Sequence, residues 1–265
     1  TTAFFYKLAG SLQWLSEALE AERVETFPDK PALPQVARFD WHRRGERQAG
    51  TWLVRQGTLR FALPITTGTA PGVADYLPAP HGLPGFAAPV EQFVPAMTPY
   101  LDLADGRVIV AGDGADAIEP AADGRSVRVA WKRWALVRTA NKTSAATPLI
   151  AGAGTLVDPG LAAVVTWTLD GNAVVRREVI TARANTTIRH FSMLFTSSGS
   201  RVSTSMRDGR RVDRFESPDG PVEVEVMESS VAMATSIPAT GNSALGRGTR
   251  GPIPLVLQWQ ASDLA

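Results

Sequence analysis

The sequence VVTWTLDGNAVVRREVITARANTTIRHFSMLF, residues 164–195, contains the clearest indication of secondary structure in the chain. Val165, Trp167 and Leu169 alternate with polar residues, and the turn sequence Asp-Gly-Asn follows at 170–172. Alternating apolar residues around an Asp-Gly pair are the strongest short-range signal for a β-hairpin. The stretch therefore predicts two antiparallel strands joined by a tight turn, with a further strand after them.

The same period of two continues on both sides of this hairpin. Apolar residues recur at every second position near Trp52, Leu59 to Ile65, Val127 to Trp131, Val222 to Val226, and Leu255 to Trp259. Residues 37–265 thus predict roughly a dozen strands without the strand–helix alternation of parallel sheets. So many strands do not stay in one open sheet. We expect a mainly β fold, a large antiparallel multi-sheet β-sandwich, or supersandwich.

The first 36 residues have a different pattern. Phe5, Leu8, Leu12, Leu15 and Leu19 step by three and four, which predicts a helix over residues 3–22. A proline-broken connector, FPDKPALPQV, follows at 27–36. The sequence therefore predicts two parts, a terminal helix with its connector at 1–36 and a β-sandwich domain at 37–265. Because it opens in a helix without an initiator Met, we expect it to be a fragment or a mature form.

Composition excludes several classes of function. The chain has 27 basic and 26 acidic residues, a balance that argues against a nucleic-acid partner. The densest basic stretches, 42–44 and 207–214, are broken by acids or glycine and indicate solvated strand faces or turns. The absence of cysteine excludes disulfides and thiolate chemistry. No apolar run is long enough to predict a membrane span. The compartment stays open, with a periplasmic or secreted location slightly favoured.

Metal and cofactor motifs are missing from the sequence. His42, His81 and His190 do not have the spacing of a metal-binding pair. Gly112 to Asp116 lacks the spacing of a calcium loop. A phosphate loop and a nucleophile elbow are absent as well. The sequence predicts no metal site and no cofactor.

Residues 64–99 interrupt the alternation with eight prolines in PITTGTAPGVADYLPAPHGLPGFAAPVEQFVPAMTP. Long irregular segments inside a compact domain are often functional. Asp75, Tyr76 and His81 lie within seven residues here, and Tyr and His can act as acid and base when their pKa values are tuned. The alternative is structural: Tyr76 anchors the loop and His81 bonds a backbone carbonyl.

Two further groups are candidates for binding. Trp41 and Arg43 would suit a sugar ring that stacks on an aromatic face while a donor holds its hydroxyls. The alternative places Trp41 in the core of a first strand. In Arg176-Arg177-Glu178, neighbours point to opposite faces of a strand, so at least one charge faces inward and needs a partner or an aqueous cleft.

Residues 164–195 resemble the giant β-sandwich of galactose-mutarotase-like domains, in which a strand ending W-x-L-D-G-N turns into an R-R strand. The order of elements is similar to the C-terminal part of heparinase II/III-like and alginate-lyase-like polysaccharide lyases. In that resemblance, FFYKLAGSLQWLSEALEA at residues 4–21 corresponds to the last helix of an (α/α) toroid, and 23–36 to the interdomain connector. A helical domain of the same protein is then an expected partner.

The resemblance implies β-elimination on glycans that contain uronic acid, so a polysaccharide or oligosaccharide is the expected ligand. Most catalytic residues of such lyases lie on the toroid. Within this chain His81 and Tyr76 are the candidate catalytic residues, and Arg43, Trp41 and Asp75 the candidate substrate contacts. Whether the chain is catalytic stays open. The alternative is a non-catalytic carbohydrate-binding domain or a structural β-sandwich domain of a bacterial protein.

Overall fold

The computed structural model describes residues 35–67, 80, 82–86, 97, 99–111, 115–136, 156–183, 186–197, 201–217, 220–236 and 255–264. All of them belong to one compact unit that runs from Gln35 to Ala265. The helix predicted at 3–22 and the connector up to residue 34 lie outside the described residues.

Strands dominate the described residues, and none of those residues is helical. The strands are β1 Val36–Arg43, β2 Ala49–Gln56, β3 Leu59–Thr66, β4 Tyr100–Leu103, β5 Val108–Val110, β6 Ala117–Pro120, β7 Ser126–Trp131, β8 Trp134–Leu136, β9 Leu156–Val157, β10 Leu161–Asp170, β11 Ala173–Ala182, β12 Ile188–Ser197, β13 Arg201–Arg207, β14 Arg210–Ser217, β15 Gly220–Glu225, β16 Ala234–Ser236 and β17 Leu255–Leu264. The prediction of a mainly β protein is confirmed.

The strands form four sheets among the described residues. Their orders are β1-β2-β3, β11-β10-β7-β6, β16-β17-β12-β4-β5-β8-β9 and β13-β14-β15. The pairings between these strands are antiparallel. The predicted antiparallel, multi-sheet architecture is therefore confirmed.

The hairpin predicted at residues 164–182 is present as β10 and β11. Asp170 pairs with Ala173 across the turn, and Gly171 adopts a φ of 54°, the left-handed region that glycine enters without a steric penalty. Register from this turn places Trp167 opposite Arg176. Since side chains of paired residues share a face, the turn fixes which residues of β11 meet the core.

One apolar cluster draws on three of the four sheets. Its largest fully buried side chains include Trp52 and Leu63 from β1-β2-β3, Leu101 from the seven-stranded sheet, and Trp131 and Trp167 from the four-stranded sheet. Full burial of each such side chain stabilises the fold by about 1.5–3 kcal/mol. A second cluster is built on Phe86, Phe195 and Phe215.

A close approach at Gly124 ties two of the sheets together. The indole N–H of Trp52 donates to the Gly124 carbonyl over 2.6 Å. Gly124 has a φ of 71°, and a Cβ at this position would collide with the carbonyl oxygen of Ala37 on β1. The turn between β6 and β7 therefore requires glycine to reach the first sheet.

Within the part of the chain that the structure describes, no helix has the length and hydropathy needed to cross a membrane.

Candidate functional site

Three of the residues that the sequence suggested for catalysis or binding lie outside the described residues. They are Asp75, Tyr76 and His81. Their roles therefore stay predictions. Other parts of the same connection between β3 and β4 are described, namely residue 80, residues 82–86, Met97 and Pro99.

Trp41 and Arg43 both lie on β1, but they have different surroundings. Trp41 is half-buried against the main core and meets Phe39 edge-on, with ring centroids 4.9 Å apart. The guanidinium over its ring, 5.5 Å from the centroid, belongs to Arg44. Arg43 is exposed, and its Nε donates to the Arg47 carbonyl over 2.8 Å. Trp41 thus packs partly against the core and Arg43 holds the turn between β1 and β2, and their roles as substrate contacts stay predictions.

The inward-facing charge predicted in 176–178 is present. Arg176 lies opposite Trp167 and Glu178 opposite Val165, so both charged side chains point to the core face of the sheet. Their exposed fractions are 9% for Arg176 and 14% for Glu178, and Arg177 on the other face is exposed. The two inward charges are each other's partner, with Nη2 of Arg176 2.8 Å from Oε2 of Glu178.

The remaining polar atoms of this pair are only partly satisfied. The guanidinium carbon of Arg176 lies 5.3 Å from the centroid of the Trp167 ring, a cation–π contact. Among the described residues, Nε of Arg176, Oε1 of Glu178 and Nε1 of Trp167 are buried without a hydrogen-bond partner. Burial raises the pKa of the Glu178 carboxyl and lowers the pKa of the Arg176 guanidinium, and the attraction between them opposes both shifts.

Arg176 also contacts the end of the β3–β4 connection. Its Nη1 donates to the backbone carbonyl of Met97. Met97 has a φ of 59°, in the left-handed region that residues other than glycine seldom enter. The Met97 side chain packs against both apolar clusters. One buried arginine therefore joins the four-stranded sheet to a backbone position 79 residues away in the sequence.

A second arginine–carboxylate pair lies on β14. Arg211 and Asp213 are two residues apart and share a face. The contact is bidentate, with Nε 2.9 Å from Oδ2 and Nη2 2.9 Å from Oδ1. The hydroxyl of Thr204 donates to Oδ1 over 2.8 Å. The aspartate side chain is 4% exposed and the arginine 33%, and the hydrogen bonds to Asp213 raise the pKa of the Arg211 guanidinium.

This pair forms one wall of a half-open cavity of about 220 Å³. Arg210 also borders the cavity, but its guanidinium pairs with Glu225 over 3.3 Å on the other face of β14. The lining also contains the apolar side chains of Val224, Val226 and Met233, and Val224 pairs with Asp213 on the neighbouring strand. The remaining nitrogen of Arg211, Nη1, donates to the Thr235 carbonyl over 3.4 Å, a long and weak hydrogen bond. The cavity thus combines an oriented cation with an apolar surface.

Sequence reasoning missed this cavity, because the 207–214 stretch indicated only a solvated strand face. That interpretation holds for Arg210 and Arg214, which are exposed. The available signal was the spacing Arg-x-Asp at 211 and 213, which puts both side chains on one face of a strand. On a solvated strand face an aspartate would not need to be buried, so the burial of Asp213 beside Arg211 sets this face apart.

Metal binding has no support in the described ranges, where no group of three or more His, Asp or Glu side chains could hold an ion. His42 is within 2.7 Å of the Thr51 hydroxyl, and His190 is 3.3 Å from the Ser262 hydroxyl. Both histidines therefore have local hydrogen-bond partners.

Comparison of the chain with protein-family models, with curated proteins and with solved structures gave no match.

Proposed function

We propose that this chain is the giant β-sandwich portion of a carbohydrate-active protein, and that the cavity at Arg211 holds the carboxylate of an acidic sugar. In this proposal the four sheets stack as a supersandwich, and the whole protein is a polysaccharide lyase that acts by β-elimination on glycans containing uronic acid. The observation that carries the proposal is the pairing of a fixed guanidinium with an apolar wall in one cavity.

The geometry of Arg211 suits recognition of a carboxylate. Asp213 takes two of its nitrogens, which fixes the plane of the guanidinium. Among the described residues, Nη1 makes only the 3.4 Å contact to Thr235, and a carboxylate would make a shorter, charge-assisted hydrogen bond there. Since the guanidinium is already ordered, binding immobilises few additional side-chain rotamers.

The size and the apolar wall of the cavity favour a single sugar unit. Pockets that enclose drug-sized ligands have roughly 300–1,000 Å³, and this cavity is smaller, at about 220 Å³. Val224, Val226 and Met233 offer a surface for the C–H face of a sugar ring. A half-open cavity also lets a polymer continue on either side of the bound unit.

The described residues favour binding over catalysis at this cavity, so a non-catalytic acidic-glycan-binding domain is the second candidate. Asp213 is buried and accepts hydrogen bonds from both Arg211 and Thr204, which leaves it poorly placed to remove a substrate proton. In the lyase proposal, acid–base chemistry comes from residues elsewhere, with His81 and Tyr76 as the candidates within this chain.

Binding is tested by titrating the chain with oligouronates and with neutral oligosaccharides of the same length. We expect binding of the oligouronates alone, weakening with salt as electrostatic recognition requires. Replacing Arg211→Lys keeps a cation beside Asp213 but removes the planar guanidinium, and it should weaken binding about tenfold, the effect of losing one charge-assisted hydrogen bond of about 1.5 kcal/mol. Arg214→Lys is the matched control, since Arg214 lies on the same strand and pairs with Glu216 outside the cavity.

Equal binding of charged and neutral oligosaccharides, or equal losses in the two variants, would contradict the proposed cavity. Catalysis is tested separately in the full-length protein, by the near-ultraviolet absorbance of unsaturated uronate products. Binding without such products would support the glycan-binding domain over the lyase. If the full-length protein is active, unchanged turnover of His81→Ala would remove His81 as a catalytic residue.

A further inference from the structure

We infer that Arg176 is a positioning residue, which fixes the chain at Met97 where the β3–β4 connection returns to the sheet. This inference is independent of the acidic-sugar cavity, because it uses none of the residues that line it. It rests on the contacts of Arg176, the backbone of Met97 and the unsatisfied polar atoms around the pair.

Three groups contact the guanidinium of Arg176. Glu178 holds Nη2, the Trp167 ring lies against the face of the guanidinium, and the Met97 carbonyl accepts from Nη1. Two of these contacts come from the same four-stranded sheet as Arg176. They hold the guanidinium in place, so its hydrogen bond to the Met97 carbonyl fixes Met97 relative to the sheet.

Met97 needs such a restraint. Its left-handed φ of 59° is unfavourable for a residue with a side chain, and backbone of this kind persists when its surroundings hold it. Earlier in the same connection, Leu83 packs against both apolar clusters and Phe86 is buried in the second one. Packing is therefore the restraint at residues 83–86, and a hydrogen bond from a buried cation supplements packing at Met97.

Stability alone does not account for the pair. A buried ion pair is often no more stable than apolar side chains of similar volume, and here three buried polar atoms lack a partner among the described residues. Inward charges on β11 also discourage edge-to-edge pairing, since β11 is an edge strand of its sheet in the described structure. Edge protection explains a charge at either position, but it does not require the contact with Met97.

The experiment uses the absence of cysteine from the chain. Met97→Cys introduces one thiol at this half-buried position and keeps its backbone carbonyl, so its rate of reaction with a maleimide reports how often the position opens. In that background, Arg176→Met with Glu178→Leu replaces the buried pair by apolar side chains. We expect the variant to keep its unfolding midpoint in urea, while thiol labelling accelerates about tenfold because local opening at Met97 becomes easier.

Arg177→Met is the matched control, because Arg177 lies between the two positions on the exposed face, and its labelling rate should not change. Unchanged labelling in the folded apolar variant would overturn the inference and leave edge protection as the role of the pair. If the apolar variant does not fold, Arg176→Gln with Glu178→Gln serves instead. The shorter amide cannot reach both former partners, so the same two outcomes decide the question.

Discussion

Two regions of the molecule place an arginine and a carboxylate two residues apart on the inner face of a strand. On β11 the pair is Arg176 and Glu178, and on β14 it is Arg211 and Asp213. The strand pleat produces both pairs from the same spacing. Their surroundings differ, because the first pair is buried at both ends, whereas the second buries its acid and leaves its arginine one-third exposed.

The two pairs also differ in their hydrogen bonding. Asp213 accepts from two nitrogens of Arg211 and from Thr204, so its carboxylate is fully engaged. Glu178 makes one contact through Oε2, and its Oε1 has no partner among the described residues. A carboxylate whose hydrogen bonds are all made can orient an arginine toward solvent. A buried pair with missing hydrogen bonds costs free energy of folding. In our proposals, the same sequence pattern therefore serves ligand recognition in one place and internal positioning in the other.

The sharpest test of this difference is Glu178→Ala at neutral pH. The substitution leaves the guanidinium of Arg176 buried without its counter-charge, and we expect the free energy of unfolding to fall by about 3–5 kcal/mol. Urea denaturation measures the loss. Glu223→Ala is the control, because Glu223 pairs with Arg207 where both side chains are 40% or more exposed, and it should lose less than about 1 kcal/mol. Equal losses of unfolding free energy in the two variants would mean that burial does not distinguish the β11 pair from the exposed pair of Arg207 and Glu223.

Asp213→Ala should have a smaller effect. The variant leaves the Thr204 hydroxyl and Arg211 without their acceptor, but Arg211 is one-third exposed and can turn to water. We expect the free energy of unfolding to fall by about 2 kcal/mol, the effect of losing hydrogen bonds to a charged group. The measurement is urea denaturation beside Glu178→Ala. A loss as large as that of Glu178→Ala would show that the two pairs are energetically alike.

The sequence predicted those features that depend on neighbouring residues. Asp170-Gly171 located the hairpin, and the alternation before it fixed which face of β10 is buried. From that hairpin, the period of two also predicted an inward charge among residues 176–178. These predictions succeeded because a strand has two faces and a two-residue turn leaves little freedom of register.

The contacts that the sequence did not predict join distant segments. Arg176 reaches Met97 over 79 residues, and the cavity combines 209–213 with residues from β15 and from the segment that follows it. No local pattern specifies which strands become neighbours in a sheet. Trp41 illustrates the same point, since alternation placed it on a strand but could not show that Arg44, rather than Arg43, covers its ring.

The stability contributed by the β11 pair should also depend on pH, and this is the smallest of the expected effects. Burial raises the pKa of Glu178 above its ordinary value of 4.5. Between 4.5 and the raised value, the folded protein keeps a proton that the unfolded chain has released. Unfolding then releases a proton, so the contribution of Glu178 to stability falls as the pH rises through this window.

Glu178→Gln isolates that contribution, because the amide keeps a hydrogen-bond acceptor for Arg176 and does not titrate. We expect the stability of the natural protein, relative to this variant, to decrease as the pH rises above about 4.5, by at most about 1.4 kcal/mol per pH unit. Urea denaturation of both proteins across a pH series measures the difference. A difference that increases with pH would show that attraction to Arg176 outweighs burial at Glu178.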